Sequence, residues 1–133
     1  MPHLIVEYSA NLESRIEISN LVRKVHEAAL ATAVFEAATV RTRGARREHC
    51  SIADGHPDNS FVAIIVRIAT GRDAETRKRI GKTIFDTVCG YLERIYETTP
   101  IGISLEVQDM DPVEFRKNNM ASFMKERTAK ARA

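Results

Sequence analysis

The sequence predicts an α+β fold, a β-α-β unit used twice, giving a four-stranded sheet with two helices on one face. Three observations lead there. Strand-like runs stand at about 2–8, 38–43, 61–69 and 101–108, and amphipathic helical stripes fill about 17–32 and 74–97 between the members of each pair. The strand–helix–strand order occurs twice at similar spacing, and tandem β-α-β units close into one sheet. The 133 residues fit one domain, with halves at about 2–43 and 61–108 and a tail at 112–133.

Each element has its own warrant. His3-Leu-Ile-Val-Glu-Tyr8 is a short apolar strand. Helix one carries Ile18, Leu21, Val22, Val25, Ala28 and Ala29 at helical spacing, with Ser19 or Asn20 as its expected cap. Phe61 to Ala69 is almost wholly apolar, as suits a strand paired on both sides. Helix two aligns Ile80, Ile84, Phe85, Val88, Leu92, Ile95 and Tyr96, with Asp73 as N-cap. Gly71 marks a turn, Pro100-Ile-Gly102 opens the last strand, and Asp54-Gly-His-Pro-Asp-Asn59 is a surface loop. The second face of the sheet has only residues 112–124 of the tail to cover it, so other copies of the chain are expected there. The basic end, 125–133, is expected to fray.

Composition excludes several classes. At 44% hydrophobic and 29% charged, the chain has the make-up of a soluble protein. A net charge of +2 gives no sign of a nucleic-acid partner. No apolar run approaches the ~20 residues that span a bilayer, and no signal-peptide pattern opens the chain, so no membrane partner is expected. Cys50 and Cys89 form no disulfide framework, which points to a reduced, cytoplasmic setting. His49, Cys50, Asp54 and His56 match no standard metal spacing.

The most informative local feature is Pro2 directly after Met1. Trimming the methionine would leave a secondary amine, which accepts a proton where an amide nitrogen does not. An α-amino group titrates near neutrality, at about 7.7–8.0, and burial or nearby cations lower it. Pro2 at the head of a strand is therefore a candidate general base. If Met1 is retained, that base is absent and the first residue fills the pocket.

Pro2-His3-Leu-Ile-Val-Glu7, Ala38-Thr-Val-Arg41-Thr-Arg43, Ala53-Asp-Gly55, Phe61-Val62, Thr70-Gly71-Arg72 running on to Lys78, and the tail Phe115-Arg-Lys-Asn118-Asn119 resemble the tautomerase superfamily. Within it the chain is most similar to the 5-carboxymethyl-2-hydroxymuconate Δ-isomerases, over about residues 2–125. The resemblance implies a homotrimer, Pro2 as catalytic base, no metal and no organic cofactor. It also implies a role in bacterial homoprotocatechuate degradation. The implied reaction is a 1,3-proton shift, turning a dienol into an unsaturated ketone. One amine serves as base and then as acid.

An unsaturated polycarboxylate substrate calls for guanidinium groups, which grip carboxylates bidentately. Arg41 and Arg72 match the family's arginine positions; Arg43 shares a strand face with Arg41. The bland reading makes Arg41, Arg43, Arg46 and Arg47 one solvated run and Arg72 a surface residue at a helix start. His26 and Cys89 sit beside apolar stripes and read as structural. Phe115 and Phe123 read as packing residues. The first half lacks a Gly-Arg pair like that at 71–72, so each pocket has fewer candidate cations than a symmetric relative. Two alternatives stand beside the isomerase: a tautomerase of phenylpyruvate-like enols, with one carboxylate to bind, and a non-catalytic ferredoxin-like ligand-binding module.

Overall fold

The structure, a computed structural model, describes residues 1–132. Its four strands are β1 (His3–Ser9), β2 (Arg41–Arg47), β3 (Ser60–Ile68) and β4 (Ile101–Asp109). They lie in the order β2-β1-β3-β4. β1 pairs with β2 in parallel, from His3 opposite Arg41 to Ser9 opposite Arg47. β3 pairs with β4 in parallel, and β1 meets β3 antiparallel at the centre. Each half is thus a β-α-β unit, and the two join back to back. Parallel first and second strands side by side also set this fold apart from the ferredoxin-like alternative.

Helices α1 (Ile18–Ala31) and α2 (Ala74–Tyr91) cover one face. Leu21, Val25, Ala28 and Ala29 of α1 are buried, and so are Ile80, Ile84 and Val88 of α2. They pack on Leu4, Val6, Tyr8, Val62, Ile64 and Val66, alternate residues that point one way from the sheet. Gly81 lets α2 lie close to β4, since a Cβ there would stand 3.3 Å from Val107 Cγ2.

Helix ends depart in part from expectation. Asp73 caps α2 as expected, accepting from the Thr76 N–H at 2.7 Å. α1 begins two or three residues early for a Ser19 or Asn20 cap: Glu17 occupies the N-cap position without a side-chain bond. The Asn20 side chain instead accepts from Arg23, and the Tyr91 hydroxyl donates to the Glu17 carbonyl. At the other end, Arg79 of α2 donates to the Thr32 carbonyl at 2.8 Å, a cation where helix carbonyls are left unpaired. The expected helix 74–97 is two helices. Leu92, at φ −95 and ψ 9, separates α2 from α3 (Glu93–Thr98) as its side chain turns fully into the core.

β2 differs most from expectation. A 3-10 turn over Ala37–Thr39 precedes it, and the strand starts three residues later and ends four residues later than 38–43. Pairing with all of β1 holds it, and its arginines find carboxylates: Arg47 with Glu7 at 2.8 Å, Arg46 with Glu13 and Glu48. The tail is also more ordered than expected. Residues 120–132 form α4 (Met120–Arg132), whose Ala-, Lys-, Arg- and Glu-rich sequence favours helix over fraying. Asn118 caps it by accepting from the Met120 N–H, and the whole helix is exposed.

The uncovered face presents His3, Ile5, Glu7, Phe61, Ala63 and Ile65 half-buried at its centre. Arg43, Arg47, Arg67 and Glu106 surround them. No helix of the described residues is long and apolar enough to cross a membrane.

Candidate active site

The head of β1 opens into a cavity of about 470 Å³. Pro2 lies in its wall, buried, and its carbonyl accepts from the Arg41 N–H at 3.2 Å, which extends the β1–β2 ladder to the first residues. Met1 is 5% exposed and lines the same cavity. Its ammonium is 3.2 Å from Glu114 Oε1 on the tail. Its sulfur accepts from Arg41 Nη1 at 3.4 Å. Met1 thus occupies the cavity, and with it in place Pro2 carries an amide nitrogen.

Arg72 enters the cavity from the turn before α2. Gly71, at φ 100, provides a left-handed bend that a side chain would strain. Arg72 donates to the Ala69 carbonyl at 3.3 Å, and its guanidinium stands 5.3 Å from the centre of the Phe35 ring. The aromatic face holds the cation by its quadrupole while leaving most N–H groups unspent. No carboxylate pairs with Arg72 among the described residues.

Sequence reasoning missed several walls of this cavity. Phe35, Glu36 and Thr39 come from the connection between α1 and β2, and Arg116 and Asn118 from the tail. Asn118 pins the tail across the opening by donating to the Ala38 carbonyl at 2.8 Å. Arg116 and Asn118 belong to the tail stretch that carries the family resemblance, which was their one sequence signal.

Arg41 and Arg43 stand on the open face of the sheet, outside the cavity wall. Arg41 reaches it through Met1. Arg43 is exposed and donates to His3 Nδ1 at 3.1 Å. The structure therefore brings Pro2 and Arg72 together, sets Arg41 beside them, and does not bring Arg43 to the cavity of its own chain.

His3 reports the electrostatics of this region. Burial holds its imidazole below the ordinary 6.5, and the charges of Arg43, Arg41 and Arg67 push it further down. A positive field thus covers the head of β1. His26 accepts from or donates to Thr42 Oγ1 at 2.8 Å and serves the α1–β2 contact. Cys89 lies against α2's neighbours, and burial raises its thiol above the usual range. Asp54 Oδ1 is engaged by the His56 N–H and the Asn59 amide, which closes the loop between the halves.

The geometry is that of a partly apolar pocket with cations aimed into it. Comparison with known proteins agrees. The chain is 29% identical over 126 residues to the 5-carboxymethyl-2-hydroxymuconate Delta-isomerase of Escherichia coli, covering 94% of this chain and 100% of that one. A crystal structure of a 5-carboxymethyl-2-hydroxymuconate delta-isomerase superposes with a TM-score of 0.87 at 24% identity, covering 93% of each chain. A 5-carboxymethyl-2-hydroxymuconate isomerase from Deinococcus radiodurans R1 gives 0.85 at 26%, covering 92% of this chain and 93% of that one. Residues 2–124 match the family model described as 5-carboxymethyl-2-hydroxymuconate isomerase, and the chain belongs to that family.

Proposed function

We propose that this isomerase moves a proton along the conjugated system of 5-carboxymethyl-2-hydroxymuconate, or a similar unsaturated polycarboxylate, with Pro2 as the moving group. Once Met1 is removed, the Pro2 amine takes the hydroxyl proton of the dienol, leaving a dienolate and a secondary ammonium. The ammonium returns the proton to a carbon further along, giving the unsaturated ketone and the free amine. Burial and the positive field that together lower the His3 imidazole also disfavour the ammonium, which keeps the amine available as a base near neutral pH.

The observation that carries this reading is Pro2 and Arg72 in the wall of one cavity, with Arg116 beside them. Arg72 and Arg116 supply forks for substrate carboxylates, and Arg41 meets charge on the oxygen that loses its proton. Two or more cations favour a polycarboxylate over a phenylpyruvate-like enol with one carboxylate. Arg43 serves the substrate only from a neighbouring copy, since its own chain turns it to the open face.

The assembly proposed is a homotrimer in which open sheet faces meet and the exposed Val113 and Phe115 of the tail reach a neighbour. Two free cysteines fit a reduced cytoplasmic setting, and the substrate fits homoprotocatechuate degradation. The deciding experiment compares two preparations, one with Pro2 as the first residue and one with Met1 retained, assayed for dienol ketonisation and checked by mass spectrometry. Equal activity removes Pro2 from the mechanism.

A further inference from the structure

The N-terminal ammonium of Met1 lies 3.2 and 3.5 Å from the two carboxylate oxygens of Glu114. Consecutive backbone nitrogens are about 3 Å apart, so the same carboxylate stands within about 7 Å of the Pro2 nitrogen. Glu114 is on the tail strap held by Asn118, next to Arg116. Five arginines near the head of β1 oppose a positive charge there: Arg72 precedes α2, Arg116 is on the tail, Arg41 and Arg43 are on β2 and Arg67 is on β3. Glu36, before β2, is the other acid, and burial and these charges push the His3 imidazole down.

From this arrangement we propose that Glu114 is a positioning residue for the reaction, the counter-charge to the protonated Pro2 amine. The inference rests on Pro2 acting as the base. In the resting enzyme the amine is neutral and Glu114 faces a field of cations. When Pro2 takes the dienol proton, its new positive charge is formed beside a carboxylate already in place. The proton passes only between substrate and amine. Without it, the surrounding arginines would depress the amine's basicity and weaken its pull on the proton. With it, basicity stays near the working pH, where one group serves best as both base and acid. The retained methionine uses the same carboxylate, so Glu114 also marks where the chain's amine belongs.

The test uses the full chain with Pro2 as its first residue. The nitrogen of Pro2 is followed by 15N NMR across pH, and kcat/KM is measured over the same range. Glu114→Gln is expected to move the titration midpoint and the acid limb of the profile down together, by about half a unit to one unit. Glu114→Asp is expected to leave both within a few tenths. Below the parent's acid limb, the Gln variant should be the faster enzyme, which loss of structure would not produce. A Pro2 nitrogen that titrates as an amine but does not move in Glu114→Gln overturns the role of Glu114 and leaves Pro2 as base. An active protein whose Pro2 nitrogen never titrates overturns both. A shift of equal size in Glu126→Gln, on the exposed α4, also overturns the proposal, because it would reflect net charge alone.

Discussion

Arg41 Nη1 donates to the sulfur of Met1 at 3.4 Å, so the chain's first side chain occupies a cation beside Pro2. A thioether is a weak acceptor, and a substrate carboxylate would replace it with a stronger bond. Removing Met1 therefore changes three things at once: it creates the amine, opens the cavity and frees Arg41.

The first prediction concerns that removal. General acid–base catalysis contributes about 10²–10⁴-fold, and a protein that retains Met1 should lose at least that range in kcat/KM. Treating both forms with one aminopeptidase and following ketonisation over time provides the measurement. Activity should appear only as methionine is released.

The arginines should separate by kinetic parameter. Arg72, held over Phe35 at the start of α2, should act mainly in binding, so Arg72→Ala should raise KM with little change in kcat. Arg41 should meet charge that forms during transfer, so Arg41→Ala should lower kcat as well. A lost charged hydrogen bond of about 1.5–3 kcal/mol corresponds to about one to two decades in kcat/KM. Lysine should restore only part of this, because the planar fork is gone. Two Ala variants that turn over a tricarboxylate dienol like the parent would reduce these residues to surface charge.

His3 makes stability depend on pH in a stated direction. Its folded imidazole is held below 6.5 by burial and by Arg43, Arg41 and Arg67. As pH falls through about 6.5 the unfolded chain takes up a proton that the folded chain does not, so stability drops. The drop levels off once pH passes below the folded value. His3→Gln should flatten this part of the curve, as read from denaturant midpoints between about pH 8 and 5.

Assembly is the fourth prediction. Phe115 is 95% exposed and Val113 is 73% exposed in the isolated chain. Phe115→Ser should therefore weaken the proposed trimer without changing the fold, and sedimentation equilibrium should show dissociation at concentrations where the parent holds together. A parent that sediments as a monomer at micromolar concentration would contradict the assembly itself.

Much of the fold was legible because burial and periodicity coincide. The apolar run of β3 pairs on both sides, and the stripe from Ile80 to Val88 meets β4 across the one glycine that permits close approach. β2 was harder. Its Arg-Thr-Arg-Gly-Ala-Arg-Arg sequence has no apolar alternation, and what makes it a strand is pairing to β1 and ion pairs to Glu7 and Glu13, partners more than thirty residues away in sequence. The break at Leu92 depends on a tertiary pull into the core that helix propensity does not record. In the site, Pro2 and Arg72 could be named from local context. Glu36 could not, because the connection between α1 and β2 must fold over the β1 opening to bring it there, and Arg116, Asn118 and Glu114 could not, because only the path of the tail across that opening brings them there.

The edge position of β2 limits how copies can mistakenly join. An outer strand offers unpaired backbone groups to any passing strand, and self-pairing is the usual route to aggregation. Here the outer strand carries Arg41, Arg43, Arg46 and Arg47. Arg41, Arg43 and Arg47 share one face of the strand, with Arg46 on the other. Two copies meeting β2 to β2 in parallel register would set like charges opposite one another, and like charges placed so repel. The arginine run that conceals the strand in the sequence therefore disfavours strand addition at this border.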